Sequence, residues 1–306
     1  MPHLRIGTRG SPLALIQANL VRDRLARAHP DLAAPDAIEV VPIRTTGDRI
    51  QDRTLADVGG KGLFTKEIEE GLLARTIDLA VHSTKDMPTR LPEGLVLGCF
   101  LERGDPRDAL ICDHARSLAD LPEGTLVGTA SLRRAALVLH RRPDLRVTPL
   151  RGNVDTRLRK LQEGQVQATL LACAGLQRLG KHGVGHPLSP EEMLPAVGQG
   201  AICVEHRDGD DRIAAWLEPL NHFVTAQCVL SEHGMLAVLD GSCRTPIGGF
   251  AEIAGETLRL RALIAKPDGS ELHFTERLGG IGDGIAMGID AAEELKRRGG
   301  ADFFVV

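Results

Sequence analysis

Leu4-Arg5-Ile6-Gly7-Thr8-Arg9-Gly10-Ser11-Pro12-Leu13-Ala14-Leu15-Ile16 reads as a strand, a turn and a helix in immediate succession. Leu4 to Thr8 is the strand. Ser11 is a natural helix N-cap, and Pro12 suits the first helical position, where no N–H is needed. Leu13, Ile16, Leu20 and Val21 give the helix an apolar face. The same succession recurs along the chain. Ile38 to Arg44 is a strand, Gly62 to Leu73 a helix and Ile77 to His82 a strand. Leu126 to Thr129 is a strand with a helix from Ser131. Leu145 to Leu150 is a strand with a helix from Asn153, and Ala168 to Ala172 closes the series. Such alternation predicts an α/β architecture of parallel sheets covered by helices.

The pattern changes near residue 220. A helix from Val224 to Val238 leads into the Gly-rich loop Asp240-Gly241-Ser242-Cys243. Three strand-like runs follow, Ile247 to Ile253, Leu258 to Ala265 and Glu271 to Leu278, and then a helix from Ala286 to Arg297. This predicts a small α+β domain with an antiparallel sheet. Glu102-Arg103-Gly104-Asp105-Pro106 reads as a hinge between the first two units.

Composition narrows the function. The 306 residues carry 37 Lys and Arg against 41 Asp and Glu, a net charge of -4. That argues against a generally basic nucleic-acid binder, though not against a local basic cleft. Aromatics are 3%, with no Tyr and one Trp, so a base-stacking surface is not expected. The six cysteines form no CxxC, which excludes a zinc ribbon or thioredoxin-like pair. The N-terminus lacks the apolar core of a secretory signal, and no run approaches the length of a membrane span. A soluble, cytoplasmic protein is expected.

In open α/β sheets, ligands bind where strands end and helices begin. These junctions hold Thr8-Arg9-Gly10-Ser11, His82-Ser83-Thr84-Lys85-Asp86, Gly128-Thr129-Ala130-Ser131-Leu132-Arg133-Arg134, Leu150-Arg151-Gly152-Asn153 with Arg157, and Ala174-Gly175-Leu176-Gln177-Arg178. Free helix N–H groups and planar guanidinium groups recognise carboxylates and phosphates. One such Arg means little. Repetition across junctions on an acidic chain points to a cleft for a polyanion. Gly59-Gly60-Lys61-Gly62-Leu63-Phe64 is not a Walker A loop; it reads as a lid bearing Lys61 and Phe64, or as a plain turn. Asp86 is a carboxylate placed to meet cationic or N–H-bearing substrate atoms, or a turn-forming Asp. Cys243 sits between Gly and Pro beside Arg244, which favours a thiolate and covalent chemistry; the other cysteines read as core. His182 and His186, separated by glycines, read as a loop and not as a metal pair, and no metal site is expected.

Several long motifs in order then carry a resemblance. They are Arg5 to Leu15, Lys61 to Glu67, Ala80 to Pro88, Gly128 to Arg134, Leu150 to Leu158, Leu194 to Ala201 and Gly241 to Gly248. Over nearly its whole length the chain resembles the porphobilinogen deaminase family. The resemblance implies two α/β domains like the halves of a periplasmic binding protein and a third, α+β domain carrying a cofactor loop. The expected boundaries are 1–101 with 201–219, 105–196, and 222–306. It implies the stepwise joining of four porphobilinogen molecules, with loss of ammonia, to give hydroxymethylbilane in tetrapyrrole biosynthesis. It implies a dipyrromethane cofactor in thioether linkage to Cys243, and catalysis by Asp86. The growing chain is a polyanion, which accounts for Arg9, Ser11, Lys61, Ser83, Lys85, Thr129, Ser131, Arg133, Arg134, Arg151, Arg157 and Arg178 as carboxylate-binding residues, with Phe64 on the lid. No metal, nucleic acid or membrane partner is expected, and the chain is expected to be a monomer. Asp57 and Arg244-Thr245 depart from relatives that carry Lys and Gln-Val there. The rival from another class is a non-catalytic two-domain binder of small anions, which leaves the Cys243 loop unexplained. A cysteine-nucleophile transferase would need a His or Asp partner for Cys243, and none is adjacent.

Overall fold

The computed structural model describes residues 3–49, 64–239, 245–300 and 303. Lys61 and the Asp240 to Arg244 loop with Cys243 lie outside the described residues. In chain order the elements are β1 (Leu4–Arg9), α1 (Pro12–Ala28), β2 (Ile38–Ile43), α2 (Thr46–Arg49), α3 (Lys66–Leu73), β3 (Leu79–Ser83), β4 (Leu95–Phe100), β5 (Asp108–Ile111), β6 (Leu126–Gly128), α4 (Leu132–Arg141), β7 (Arg146–Thr148), α5 (Val154–Gln162), β8 (Ala168–Ala172), α6 (Cys173–Arg178), β9 (His186–Pro187), β10 (Ile202–Arg207), α7 (Asp211–Leu217), α8 (Phe223–Val238), β11 (Ile247–Ala254), β12 (Thr257–Ala265), β13 (Leu272–Gly280) and α9 (Gly284–Gly299).

The chain divides into two compact units, Met1–Gly104 with Ala201–Ala226, and Asp105–Gly200 with Gln227–Val306. The first holds a five-stranded sheet in the order β2-β1-β3-β10-β4. As the opening stretch predicts, Ser11 caps α1, its side chain accepting from Ala14 N at 3.3 Å, with Pro12 at the helix start. The buried face of α1 differs from the expected one: Ala14, Gln17, Ala18, Val21 and Leu25 turn inward, while Ile16 is exposed. Small alanines let the helix lie close on the sheet, where Ala18, Val21 and Leu25 join Leu4, Ile6, Leu79, Val81 and Val204 in one core.

The expectation of purely parallel sheets is corrected. β1 runs parallel to β2 and β3, but β10 is antiparallel to both β3 and β4. The second unit repeats the plan in the order β7-β6-β8-β5-β9, with β5 antiparallel to β8. In each sheet the strand that follows a crossing between the units is the reversed one: β5 in one, β10 in the other. The shared order shows two α/β halves of one plan. The stretch read from sequence as a separate α+β domain supplies the antiparallel β11-β12-β13 sheet and α9. It lies within the second unit, because Phe250 of β11 and Leu263 of β12 enter the same core as Leu137, Val138 and Leu170.

Candidate active site

In the first unit, the C-terminal ends of β1 and β3 open onto one pocket lined by Arg9, Ser11, Gln17, Phe64, His82, Ser83 and Asp86, among others. Arg9 ends β1, and its guanidinium stacks on the Phe64 ring at 4.1 Å from the centroid. That contact orients a cation at the pocket and shields one of its faces. Gln17, on the buried face of α1, donates from Nε2 to Ser83 Oγ at 2.9 Å. Ser83 ends β3, and a 3₁₀ turn over Thr84–Asp86 follows, closed by Met87 N donating to Thr84 O at 3.1 Å. Pro88 then prevents a longer helix. The turn leaves Asp86 half-buried, and its carboxylate has no hydrogen-bond or ion-pair partner among the described residues. Lys85 is half-buried beside it and is engaged elsewhere in the molecule.

A buried acid–imidazole group stands behind this pocket. His82 Nε2 and Glu205 Oε2 are 2.9 Å apart, with side chains 4% and 0% exposed. Glu69 of α3 is buried in the same region, where burial pushes its carboxyl above the usual range and the neighbouring Glu205 adds to the effect.

The second unit gathers the remaining candidates at the ends of β6, β7 and β8. Thr129 is buried, and its Oγ1 accepts from Ser131 N at 3.2 Å. Ser131 caps α4, and Asn153 caps α5 by accepting from Thr156 N at 2.9 Å. Between Arg151 and Asn153 the backbone needs glycine: Gly152 has φ 120°, and a Cβ there would lie 2.6 Å from the Thr156 side chain. Arg157 Nε donates to Gly152 O at 2.8 Å, which ties that guanidinium to the turn.

Arg133 and Arg134, expected from the sequence to bind carboxylates, meet a carboxylate of the chain itself. Both are buried and clamp the fully buried Asp108. Arg133 Nη2 donates to Oδ2 at 2.7 Å, and Arg134 Nη2 donates to Oδ1 at 2.6 Å. Their remaining donors reach Leu194 O and Leu170 O. Two guanidinium groups against one carboxylate leave a net positive charge at the start of α4. Arg178 contrasts with them. It is half-buried at the end of α6, donates to Gly200 O at 2.6 Å, and has no acidic partner among the described residues. Burial lowers its guanidinium to about 10.

Sequence reasoning missed Gln17, Asp108, Glu69 and Glu205. A Gln on the inward face of an amphipathic helix was a readable signal for Gln17. The other three needed the packed chain. In the first unit, Arg9 and the hydroxyls of the pocket suit carboxylates, and the Asp86 carboxylate, without a hydrogen-bond or ion-pair partner among the described residues, suits an N–H group.

Comparison with known proteins agrees with this chemistry. Residues 4–215 match the family model described as porphobilinogen deaminase, dipyromethane cofactor binding domain, and residues 226–297 match porphobilinogen deaminase, C-terminal domain. A porphobilinogen deaminase of Nitrobacter winogradskyi is 58% identical over 302 residues, covering 98% of this chain and 95% of the relative. One of Paracoccus denitrificans is 55% identical, over 98% and 96%. Among solved structures, a nutrient binding protein from Burkholderia cenocepacia bound to methionine is similar at a TM-score of 0.44 and 15% identity, over 70% of this chain and 90% of that one. The chain belongs to the porphobilinogen deaminase family.

Proposed function

We propose that this chain is a transferase that joins four porphobilinogen molecules head to tail, releasing ammonia, to give hydroxymethylbilane in tetrapyrrole biosynthesis. The observation that carries the chemistry is Asp86: a half-buried carboxylate without a hydrogen-bond or ion-pair partner among the described residues, in a pocket otherwise furnished with Arg9 and hydroxyls. An unpaired carboxylate at such a place is costly unless something cationic completes it. As ammonia leaves porphobilinogen, positive charge develops on the pyrrole nitrogen, and Asp86 stabilises it and orients the N–H. Arg9 and the Ser11 and Ser83 hydroxyls take the acetate and propionate groups on that side of the ring. Thr129, Ser131, Arg151, Arg157 and Arg178 take further carboxylates of the growing chain. Arg133 and Arg134 supply the positive field of their junction while Asp108 holds them in place. Lys85, Lys61 and Phe64 complete the cationic and lid contacts.

A dipyrromethane held through Cys243 supplies, when bound, the nucleophilic pyrrole carbon to which the first substrate is joined. Arg178 is the clearest donor to one of its acid groups or those of the product chain, because it is desolvated and has no acidic partner among the described residues. The reading includes action as a monomer in the cytoplasm, without nucleic-acid or membrane partners; no helix among the described residues is long and apolar enough to cross a membrane.

The test is intact mass spectrometry of the purified protein, before and after brief exposure to porphobilinogen. The expected result is an added mass of two pyrrole units, absent from Cys243→Ser, followed by a ladder of substrate increments. A mass that stays unmodified throughout would make the protein a binder of small anions.

A further inference from the structure

The proposed reaction needs a group that takes a proton from carbon, and Asp86 is better suited to holding charge. A carboxylate releases its proton too readily to retain it at neutral pH, whereas an imidazole titrates near it. His82 lines the pocket, and its imidazole, almost wholly buried behind it, is held by a carboxylate. The antiparallel register sets Cys203 opposite His82 and Glu205 opposite Ala80, so that His82 and Glu205 meet as a diagonal pair on one face of the sheet. Their 2.9 Å contact joins β3 to β10 at a point where both side chains are almost wholly buried. A carboxylate can only accept, so Nε2 carries the hydrogen and Nδ1 keeps its lone pair. Nδ1 makes no hydrogen bond to a described residue.

The surroundings are more polar than a simple brace requires. Glu69 Oε1, Glu205 Oε1, Thr65 Oγ1 and Thr84 Oγ1 are all buried and have no hydrogen-bond partner within 3.5 Å among the described residues. Native structures leave few such atoms, and clusters of them call for a function. His82 faces Glu205 and Cys203 from β10, Glu69 from α3, and Arg9 and Asp86 around the pocket. Burial pushes the Cys203 thiol up to about 12 and moves the Glu69 carboxyl upward as well. Glu205 is the carboxylate in direct contact with the imidazole, at 2.9 Å.

We infer that His82, oriented by Glu205, is the catalytic base that removes the proton when two pyrrole rings are joined. The inference rests on the reaction proposed above. Once the new carbon–carbon bond has formed, the attacking ring carbon still bears its hydrogen. That C–H bond breaks, and its electron pair returns to the aromatic ring. The proton passes to His82 Nδ1, directly or through one water. Glu205 stabilises the imidazolium, which then gives its proton to the ammonia released in the same cycle. A carboxylate orienting a buried imidazole whose other nitrogen does the chemistry is a recurring arrangement in catalysis.

The experiment is steady-state kinetics with porphobilinogen across pH for the wild-type holoenzyme, His82→Gln and Glu205→Gln. It is repeated with substrate deuterated at the free ring carbon. His82→Gln is expected to lower kcat by about 100-fold or more, with KM changed less than about twofold, and to unmask a primary isotope effect. Glu205→Gln is expected to lower kcat by about tenfold. It should also move the acid limb of the kcat profile to lower pH, because the negative charge that favours imidazolium is gone. Unchanged pH profiles and no isotope effect, whatever happens to thermal stability, would reduce the pair to a brace between β3 and β10. If the variants fail to fold, NMR titration of His82 in the wild type decides: its midpoint must coincide with the kcat limb, and a mismatch overturns the inference. Wild-type protein that releases no ammonia from porphobilinogen overturns the proposed reaction as well. Wild-type turnover with unaffected variants overturns the role of His82 alone.

Discussion

Single side chains in this molecule divide into those the fold has satisfied and those it has left for a ligand. Asp86 and Arg178 are of the second kind: each is half-buried, charged and without a partner of opposite charge among the described residues. Asp86→Asn keeps the shape and the hydrogen-bonding reach but loses the charge. We expect it to bind porphobilinogen and to lower kcat by about 10² to 10³-fold, the scale of one misplaced electrostatic stabiliser. Single-turnover ammonia release measures this, and near-normal release would remove Asp86 from the mechanism. Arg178→Gln separates binding from stability. Loss of a charge-assisted contact of about 1.5–3 kcal/mol weakens carboxylate binding by about 10- to 100-fold. The same change removes a buried charge whose folded state is penalised, so the ligand-free melting temperature should hold or rise. A fall in melting temperature would mean that Arg178 serves the fold.

Elements owe their placement to short-range signals and their anchoring to long-range charge pairs. α4 shows both. Ser131 caps it locally, while Arg133 and Arg134, in its first turn, reach Asp108 at the start of β5. Gln199 also donates to Asp108, at 3.0 Å, so one carboxylate ties β5, α4 and the segment leading to β10. Burial alone would raise Asp108, but the pull of the two guanidinium groups outweighs it and holds the carboxyl well below the usual range. The sign follows from linkage. The unfolded chain protonates this Asp near its ordinary value of about 4, and the folded chain does so only at lower pH. Its contribution is therefore complete at neutral pH and falls away as pH drops below about 4. Urea titrations at pH 7 and pH 3 should show that loss in the wild type. Asp108→Asn should cost about 3–5 kcal/mol at pH 7, because two buried cations lose their counter-charge, and its stability should vary less over the acid range.

At the scale of the whole molecule, the number of sheets exceeds the number of compact units. The β11-β12-β13 sheet shares its core with β8 and α4 through Phe250 and Leu263. The second unit should therefore lose protection as one body. Leu263→Ala, a cavity worth about 2–5 kcal/mol, is predicted to speed amide exchange in β8 and β6 as well as in β11 and β12. Exchange in β1 and β3 of the first unit should stay as it was. Effects confined to β11–β13 would mean that the third sheet unfolds by itself.

What the sequence determined by itself was local or motif-borne. Ser11, Ser131 and Asn153 each stood where a helix began, and each caps it, since a cap needs only the next three residues. The ordered motifs up to the Cys243 loop carried the family. β4, β5 and β10 were not legible. The burial of β5 and β10 is continuous, so no alternation betrays them, and Glu205, His206 and Arg207 are poor advertisements for an inner strand. Only the tertiary structure makes them tolerable, by bringing His82 to Glu205 across 123 positions and the Leu72 and Ile77 carbonyls to Arg207 across 135 and 130. The same holds at the site. The Arg-rich junctions were visible as composition, but which guanidinium groups meet Asp108 and which meets only a backbone carbonyl among the described residues depends on chain segments that are neighbours only after folding. Periodicity and capping act within a helical turn, whereas charge pairing in a buried interior is settled by whatever the closed chain brings within about 3 Å.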